Sequence, residues 1–220
     1  MSDPVTLHHW WDSEESHRVR LALAVKEVAH ESRLVNLSAR EDRGEAYRAL
    51  SPQGLFPTLE IDGAAVFGAN AIIEYLEETH PSPFLLPAIA AERARVRAFA
   101  EIIATEISPI CAPRVVDHVA WLTPELEDSK GDWLRKWFVR GLSTLEAMLD
   151  SPHVGAFAHG DAPSLADCHL IPLLRVARRW GAPVWRFPRI TAIELGCASH
   201  PAFVAARPER WAPREETAQP

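Results

Sequence analysis

Near the start of the chain, His9, Ser13, Glu14, Glu15 and His17 fall within nine positions, interleaved with Trp10 and Trp11. A carboxylate in a partly buried cleft can move a proton once its pKa rises towards the working pH, so Glu14 or Glu15 could serve as a general acid or base. His9, His17 and the two tryptophans would then supply polar and stacking contacts to a small substrate. A solvated acidic loop has the same composition, and Ser13 alone reads equally well as an N-cap or turn serine. Further along, Arg175, Arg178 and Arg179 suit either a small anionic ligand or a solvated helix face.

Bulk properties narrow the field. The 220 residues carry a formal net charge of -7, which argues against the clustered basic footprint of a nucleic-acid binder. No apolar run reaches the roughly 20 residues of a membrane span. Asp3 and Pro4 replace the basic and apolar regions of a secretory leader, so none is expected. Cys111, Cys168 and Cys197 are odd in number and far apart, which fits reduced thiols in a cytoplasmic protein. The ten histidines include no HExxH or comparable spacing, so no metal site is expected.

Elements must bring these side chains together. Residues 5–11 are rich in strand formers, and residues 16–27 place Val19, Ala22 and Leu23 on one helical stripe. A second strand is expected within 30–37 and a polar helix over 41–50, ended by Ser51-Pro52. Residues 56–61 alternate as a strand, Asp62-Gly63 marks a hairpin, 64–67 return, and a helix covers 69–79. Strand, helix, strand favours a parallel pair, and the hairpin adds antiparallel pairing: the order of a thioredoxin-like domain. Past the prolines of 81–88 the strand signals fade, and helices are expected over 90–107, 130–149, 164–180 and 189–198. Pro109 and Pro113 should break the first of these, and the polar tail from Pro208 reads as mobile.

Three segments carry a resemblance: Ser13-Glu14-Glu15-Ser16-His17-Arg18-Val19-Arg20; Gly54-Leu55-Phe56-Pro57-Thr58-Leu59 with Ala71-Ile72-Ile73-Glu74-Tyr75-Leu76; and Ser164-Leu165-Ala166-Asp167 with Pro172 downstream. In this order they resemble glutathione transferases, the zeta class (maleylacetoacetate isomerases) in particular, over about residues 5–203. The resemblance implies a thioredoxin-like domain over 1–80, a linker over 81–88 and an all-helical domain over 89–220, in a homodimeric, glutathione-dependent enzyme acting on a small molecule. Ser13 matches the catalytic serine, where a hydroxyl near a helix N-terminus could donate to a thiolate. Pro57 matches a cis-proline that makes residue 56 present its backbone to a peptide-like ligand. Arg179 matches an arginine that grips a substrate carboxylate. Ser164 to Asp167 is a capping box with a folding role.

The match breaks around the expected glutathione site. Family members place Gln or Glu followed by Ser where this chain has Gly68 and Ala69, which leaves backbone N–H groups at a helix start to meet a carboxylate. Around its Pro-Leu step the family often has a His or Gln and an Asn, where this chain has Ser108-Pro109-Ile110-Cys111-Ala112; Ser108 and Cys111 are candidates for contacting substrate. Glu14 and Glu15 replace Ser-Cys, and two carboxylates there would raise the pKa of a nearby thiol. Three readings stay open. One is a zeta-like cis–trans isomerase or transferase. Another is a glutathione-independent isomerase, lyase or cyclase using Glu14 or Glu15. The third is a non-catalytic dimeric binding protein.

Overall fold

The computed structural model describes residues 4–213, which cluster into two compact units. The first comprises residues 4–84 with 200–213, and the second comprises Leu85–Ser199.

The first unit is a four-stranded sheet with helices. Its strands are β1 (Thr6–His9), β2 (Glu31–Leu34), β3 (Thr58–Ile61) and β4 (Ala64–Phe67), in the order β2-β1-β3-β4. β1 runs parallel to β2 and antiparallel to β3, and β3 pairs antiparallel with β4. Asp62 and Gly63 both take positive φ at the hairpin tip, as a tight turn with this twist demands. The helices are α1 (Glu14–Val25), α2 (Glu45–Leu50), α3 (Ala69–Thr79) and, from the far end of the chain, α9 (Pro201–Ala205).

α1 is buried more completely than a single apolar stripe implies: Ser16 to Leu23 are all inaccessible. Packing explains this, since α1 lies against α3 and also against α9. Leu7, Val19, Leu23, Leu59, Ile72, Ile73 and Leu76 form the core beneath it. Each fully buried branched side chain contributes about 1.5–3 kcal/mol. The helix expected over 41–50 is interrupted at Gly44, whose extended ψ of 150° separates a 3-10 turn, Glu41–Arg43, from α2.

The second unit is helical: α4 (Ala90–Glu101), α5 (Pro113–Leu122), α6 (Ser129–Met148), α7 (Leu165–Arg179) and α8 (Pro188–Ala198). Val96, Phe99, Ile103, Leu134, Phe138, Leu142, Leu173 and Ile190 pack its interior. α4 does not run unbroken to 107. From Ile102 to Ile107 the chain widens into π geometry, with Ser108 N–H donating to Ile103 C=O five residues back at 2.9 Å. Pro113 then opens α5 at its first turn, where a missing N–H costs nothing. The capping box of α7 is formed: Asp167 accepts from Ser164 N–H at 2.8 Å and Ser164 Oγ–H at 2.6 Å, and from Ala158 N–H at 2.8 Å. Burial pushes this carboxyl up to about 6.

The tail differs from a mobile one at residues 208–213. Pro208–Arg210 form a 3-10 turn, and Trp211 Nε1–H donates to Ala205 C=O at 3.3 Å. The apolar indole outweighs the polar residues around it. The rest of the expected tail, 214–220, lies outside the described residues.

Candidate functional site

Strand register gathers the first unit's candidate residues at one end of the sheet. β1 ends at His9, and His8 pairs with Thr58, the first residue of β3; Thr58 in turn pairs with Phe67, the last of β4. The turn carrying Ser13, the Phe56–Pro57 step and the Gly68–Ala69 step therefore leave the sheet at the same end.

The Ser13 turn is closed by four short-range hydrogen bonds. Ser13 N–H donates to Trp10 C=O at 3.2 Å, and His17 N–H donates to Ser13 C=O at 2.9 Å. Trp10 N–H donates to Ser16 Oγ at 3.3 Å. Ser13 Oγ accepts from Ser16 N–H at 3.1 Å, so this serine is the N-cap of α1. Capping uses the oxygen as acceptor and leaves the hydroxyl hydrogen for another partner. Capping and donation to an anion are thus compatible in one side chain.

The neighbouring glutamates differ from each other. Glu14 pairs with Arg18 one turn along α1, and both side chains are largely shielded. Much of the Glu14 charge is offset there, so its repulsion of an anion beside Ser13 is weaker than the sequence implies. Glu15 is exposed on the first turn of α1.

His9 and His17 are interior groups. His17 is buried in α1. His9 is 0 % exposed, with Arg20 Nη1 at 2.9 Å from its Nδ1 and Ser32 Oγ against its Nε2. Arginine can only donate, so Nδ1 accepts and the ring proton sits on Nε2, facing Ser32. Burial first, and the Arg20 charge second, drive the His9 pKa down to about 3. Both ring nitrogens are engaged, which corrects the expectation that His9 contacts substrate. Trp11 is half-buried; its indole tilts against Trp10 at 6.2 Å, and its C=O accepts from Arg20.

A cis peptide joins Phe56 to the buried Pro57. Pro57 C=O accepts from Gly68 N–H at 3.2 Å, tying the β3 entrance to the β4 exit. Among the described residues no partner engages the N–H or the C=O of half-buried Phe56. Buried backbone groups are normally paired, so this donor and acceptor are free to meet a peptide-like ligand. Gly68 caps α3 with φ +85°, ψ 128°, a conformation that side chains rarely adopt, and open space lies where its Cβ would be. Neither Gly68 nor the buried Ala69 offers a side-chain hydrogen bond, so these two positions leave the first-turn N–H groups of α3 to meet an anion.

Three candidates belong to the second unit. Ser108 continues the π turn, and Cys111 is buried with its N–H donating to Ile107 C=O at 3.1 Å. Arg179 ends α7 and is exposed. Its neighbour Arg178 is committed to Glu194 of α8 through two contacts of 3.1 and 2.5 Å. Arg20, which holds the backbone ahead of Ser13, was missed from sequence; an arginine beside the apolar stripe of Val19, Ala22 and Leu23 was the available signal. No group of three or more His, Cys, Asp or Glu side chains among the described residues is arranged to hold a metal ion.

Comparison with known proteins bears on this geometry. Residues 7–84 match the glutathione S-transferase N-terminal domain. The chain is 40% identical over 213 residues to maleylacetoacetate isomerase of Rhizobium meliloti, covering 97% of this chain and 100% of that protein. It is 38% identical over 203 residues to maleylpyruvate isomerase of a Ralstonia species, covering 92% and 96%. Among solved structures, the holo form of a maleyl pyruvate isomerase, a bacterial zeta-class glutathione S-transferase, superposes with TM-score 0.88 at 38% identity, over 92% of this chain and 96% of that one. Maleylacetoacetate isomerase of Anaeromyxobacter dehalogenans, with dicarboxyethyl glutathione and citrate in its active site, superposes with TM-score 0.84 at 37% identity, over 99% and 97%.

Proposed function

Because this chain belongs to the zeta class of the glutathione S-transferases, we propose that it is a glutathione-dependent cis–trans isomerase of a small, carboxylate-bearing electrophile such as maleylpyruvate. One observation carries the assignment to these residues: Ser13 caps α1 through its oxygen while its hydroxyl hydrogen stays available at the end of the sheet where Phe56 offers a free N–H and C=O.

When bound, glutathione supplies a sulfur nucleophile whose reversible addition to an activated cis double bond permits rotation and is undone on release. Ser13 Oγ–H donates to the sulfur anion and, with the start of α1, favours the thiolate. Phe56 receives the peptide backbone of the cofactor through its own N–H and C=O. At Gly68 and Ala69 the hold on the γ-glutamyl end falls to the N–H groups of α3, so affinity is reduced there. A charge-assisted hydrogen bond contributes about 1.5–3 kcal/mol, so each one missing weakens binding by roughly 10–100-fold. Arg179 grips the substrate carboxylate. We further infer a homodimer in the cytoplasm, where the three buried cysteines, none of them in a disulfide, stay reduced.

The acid–base reading has less support, because Glu14 is spent on Arg18 and Glu15 is exposed to water. The test is turnover of maleylpyruvate with and without glutathione, alongside glutathione binding by calorimetry. Binding at millimolar or tighter, with isomerisation that needs the thiol and drops about 100-fold or more in Ser13→Ala, is expected. Thiol-independent turnover that survives Ser13→Ala would move the chemistry to a glutamate. An absence of both binding and turnover would leave a non-catalytic binding protein.

A further inference from the structure

Arg20 lies at the centre of the first unit and is 1% exposed. Its Nη2 donates to Trp11 C=O at 2.9 Å, and its Nη1 reaches Trp10 C=O at 3.4 Å and His9 Nδ1 at 2.9 Å. Those acceptors fill the stretch between the end of β1 and the Ser13 turn. Trp10 C=O is also the acceptor for Ser13 N–H, so the guanidinium fixes the peptide on which Ser13 is hung. The remaining edge of the guanidinium points elsewhere: Nε–H donates to Ala206 C=O at 3.3 Å, just past α9.

The segment that brings Ala206 also brings Trp211. Its indole meets the His9 ring edge-on at 5.6 Å and 85°, and lies over His30 at 6.1 Å and 19°. His30 Nδ1 is 3.1 Å from Val28 C=O, and its Nε2 is buried without a partner under this cover. The C-terminal segment thus touches both members of the His9–Arg20 pair, Ala206 through the guanidinium and Trp211 through the imidazole. A planar fork can hold acceptors on several edges at once; an ammonium on a flexible stem cannot reproduce that geometry.

We propose that Arg20 is a positioning residue for Ser13, and that docking of Ala206 and Trp211 on the first unit holds it in place. The inference rests on the role given above to Ser13. It makes residues nearly two hundred positions away in sequence part of what sets the catalytic hydroxyl.

The test uses the full-length chain with Trp211→Ala, Arg20→Lys and Trp211→Phe, each with and without Ser13→Ala. Amide hydrogen exchange over residues 10–16 reads the turn directly and needs no ligand. Expected are at least a fivefold faster exchange there in Trp211→Ala and Arg20→Lys, with protection retained in α6 and α7, and recovery in Trp211→Phe. Isomerisation kcat should fall at least tenfold in Trp211→Ala with KM within twofold, yet change less than twofold when Ser13 is already alanine. Unchanged exchange over 10–16 in both variants overturns the proposal, and so do additive losses in the double variants. If Ser13→Ala alone leaves turnover intact, the reading of Ser13 fails, while the exchange data still decide whether Arg20 and Trp211 hold the turn.

Discussion

Replacing His9 with glutamine should flatten the acid side of the stability profile. His9 is inaccessible, its Nδ1 faces the Arg20 guanidinium, and its pKa is driven from 6.5 to about 3. A pKa depressed on folding means that the unfolded chain binds the proton first. The contribution is therefore complete above pH 6.5 and is lost as pH falls towards 3. At pH 5 the unfolded histidine is almost fully protonated and the folded one is not, so His9 alone lowers stability by about 2 kcal/mol relative to pH 7.5, and by about 4 kcal/mol at pH 3. Glutamine carries a carbonyl for Arg20 and an amide N–H for Ser32, with nothing to titrate. Urea unfolding followed by tryptophan fluorescence at pH 7.5, 6 and 5 gives the comparison. The variant is expected to start less stable and to lose about 2 kcal/mol less than the parent on going to pH 5. Parallel pH dependence in the two proteins would falsify the claim that His9 is held neutral.

Asp167 should behave in the opposite sense. Burial raises its pKa from 3.8 to about 6, so its contribution is full below pH 3.8 and is lost as pH rises through 6, an amount of about 3 kcal/mol. Chemical denaturation of the parent and Asp167→Asn at pH 4.5 and 7.5 should show the parent's advantage shrinking at the higher pH. A methyl added at Gly141 of α6 would overlap the Ile107 side chain, which is itself buried in the π turn. Gly141→Ala should therefore cost about 1–3 kcal/mol, visible as a drop in thermal midpoint despite alanine's better helix propensity.

α3 was legible because its apolar period matched its burial, and β4 because Asp62-Gly63 marked the hairpin before it: both begin and end where the sequence places them. α5 and α9 were not: Pro109 and Pro113 read as a break and α9 is only one turn long, whereas Pro113 and Pro201 occupy first helical turns. The π turn at 102–107 leaves the apolar sequence pattern of a helix unchanged and shows only in the hydrogen bonds. Within the candidate site, Ser13 and the Phe56–Pro57 step were singled out by the family resemblance, since a turn serine and a strand-edge proline carry no such signal alone. The roles of His9 and Arg20 could not, because their partners, Ser32 and Ala206, are distant in the chain. A histidine beside two tryptophans looks like a ligand contact until its neighbours are known.

The first unit is discontinuous, and that gives the order of synthesis a physical meaning. About 115 residues, Leu85 to Ser199, separate its two pieces, and a ribosome adding ~5–20 residues per second needs roughly 6–23 s to make them. Throughout that interval β1–β4 and α1–α3 exist without α9, and Arg20 lacks the carbonyl of Ala206. The flank of α1 destined for α9 stays open to water, to chaperones or to another nascent chain. The turn around Ser13, made well before Ala206, is thus among the last parts of the first unit to be completed.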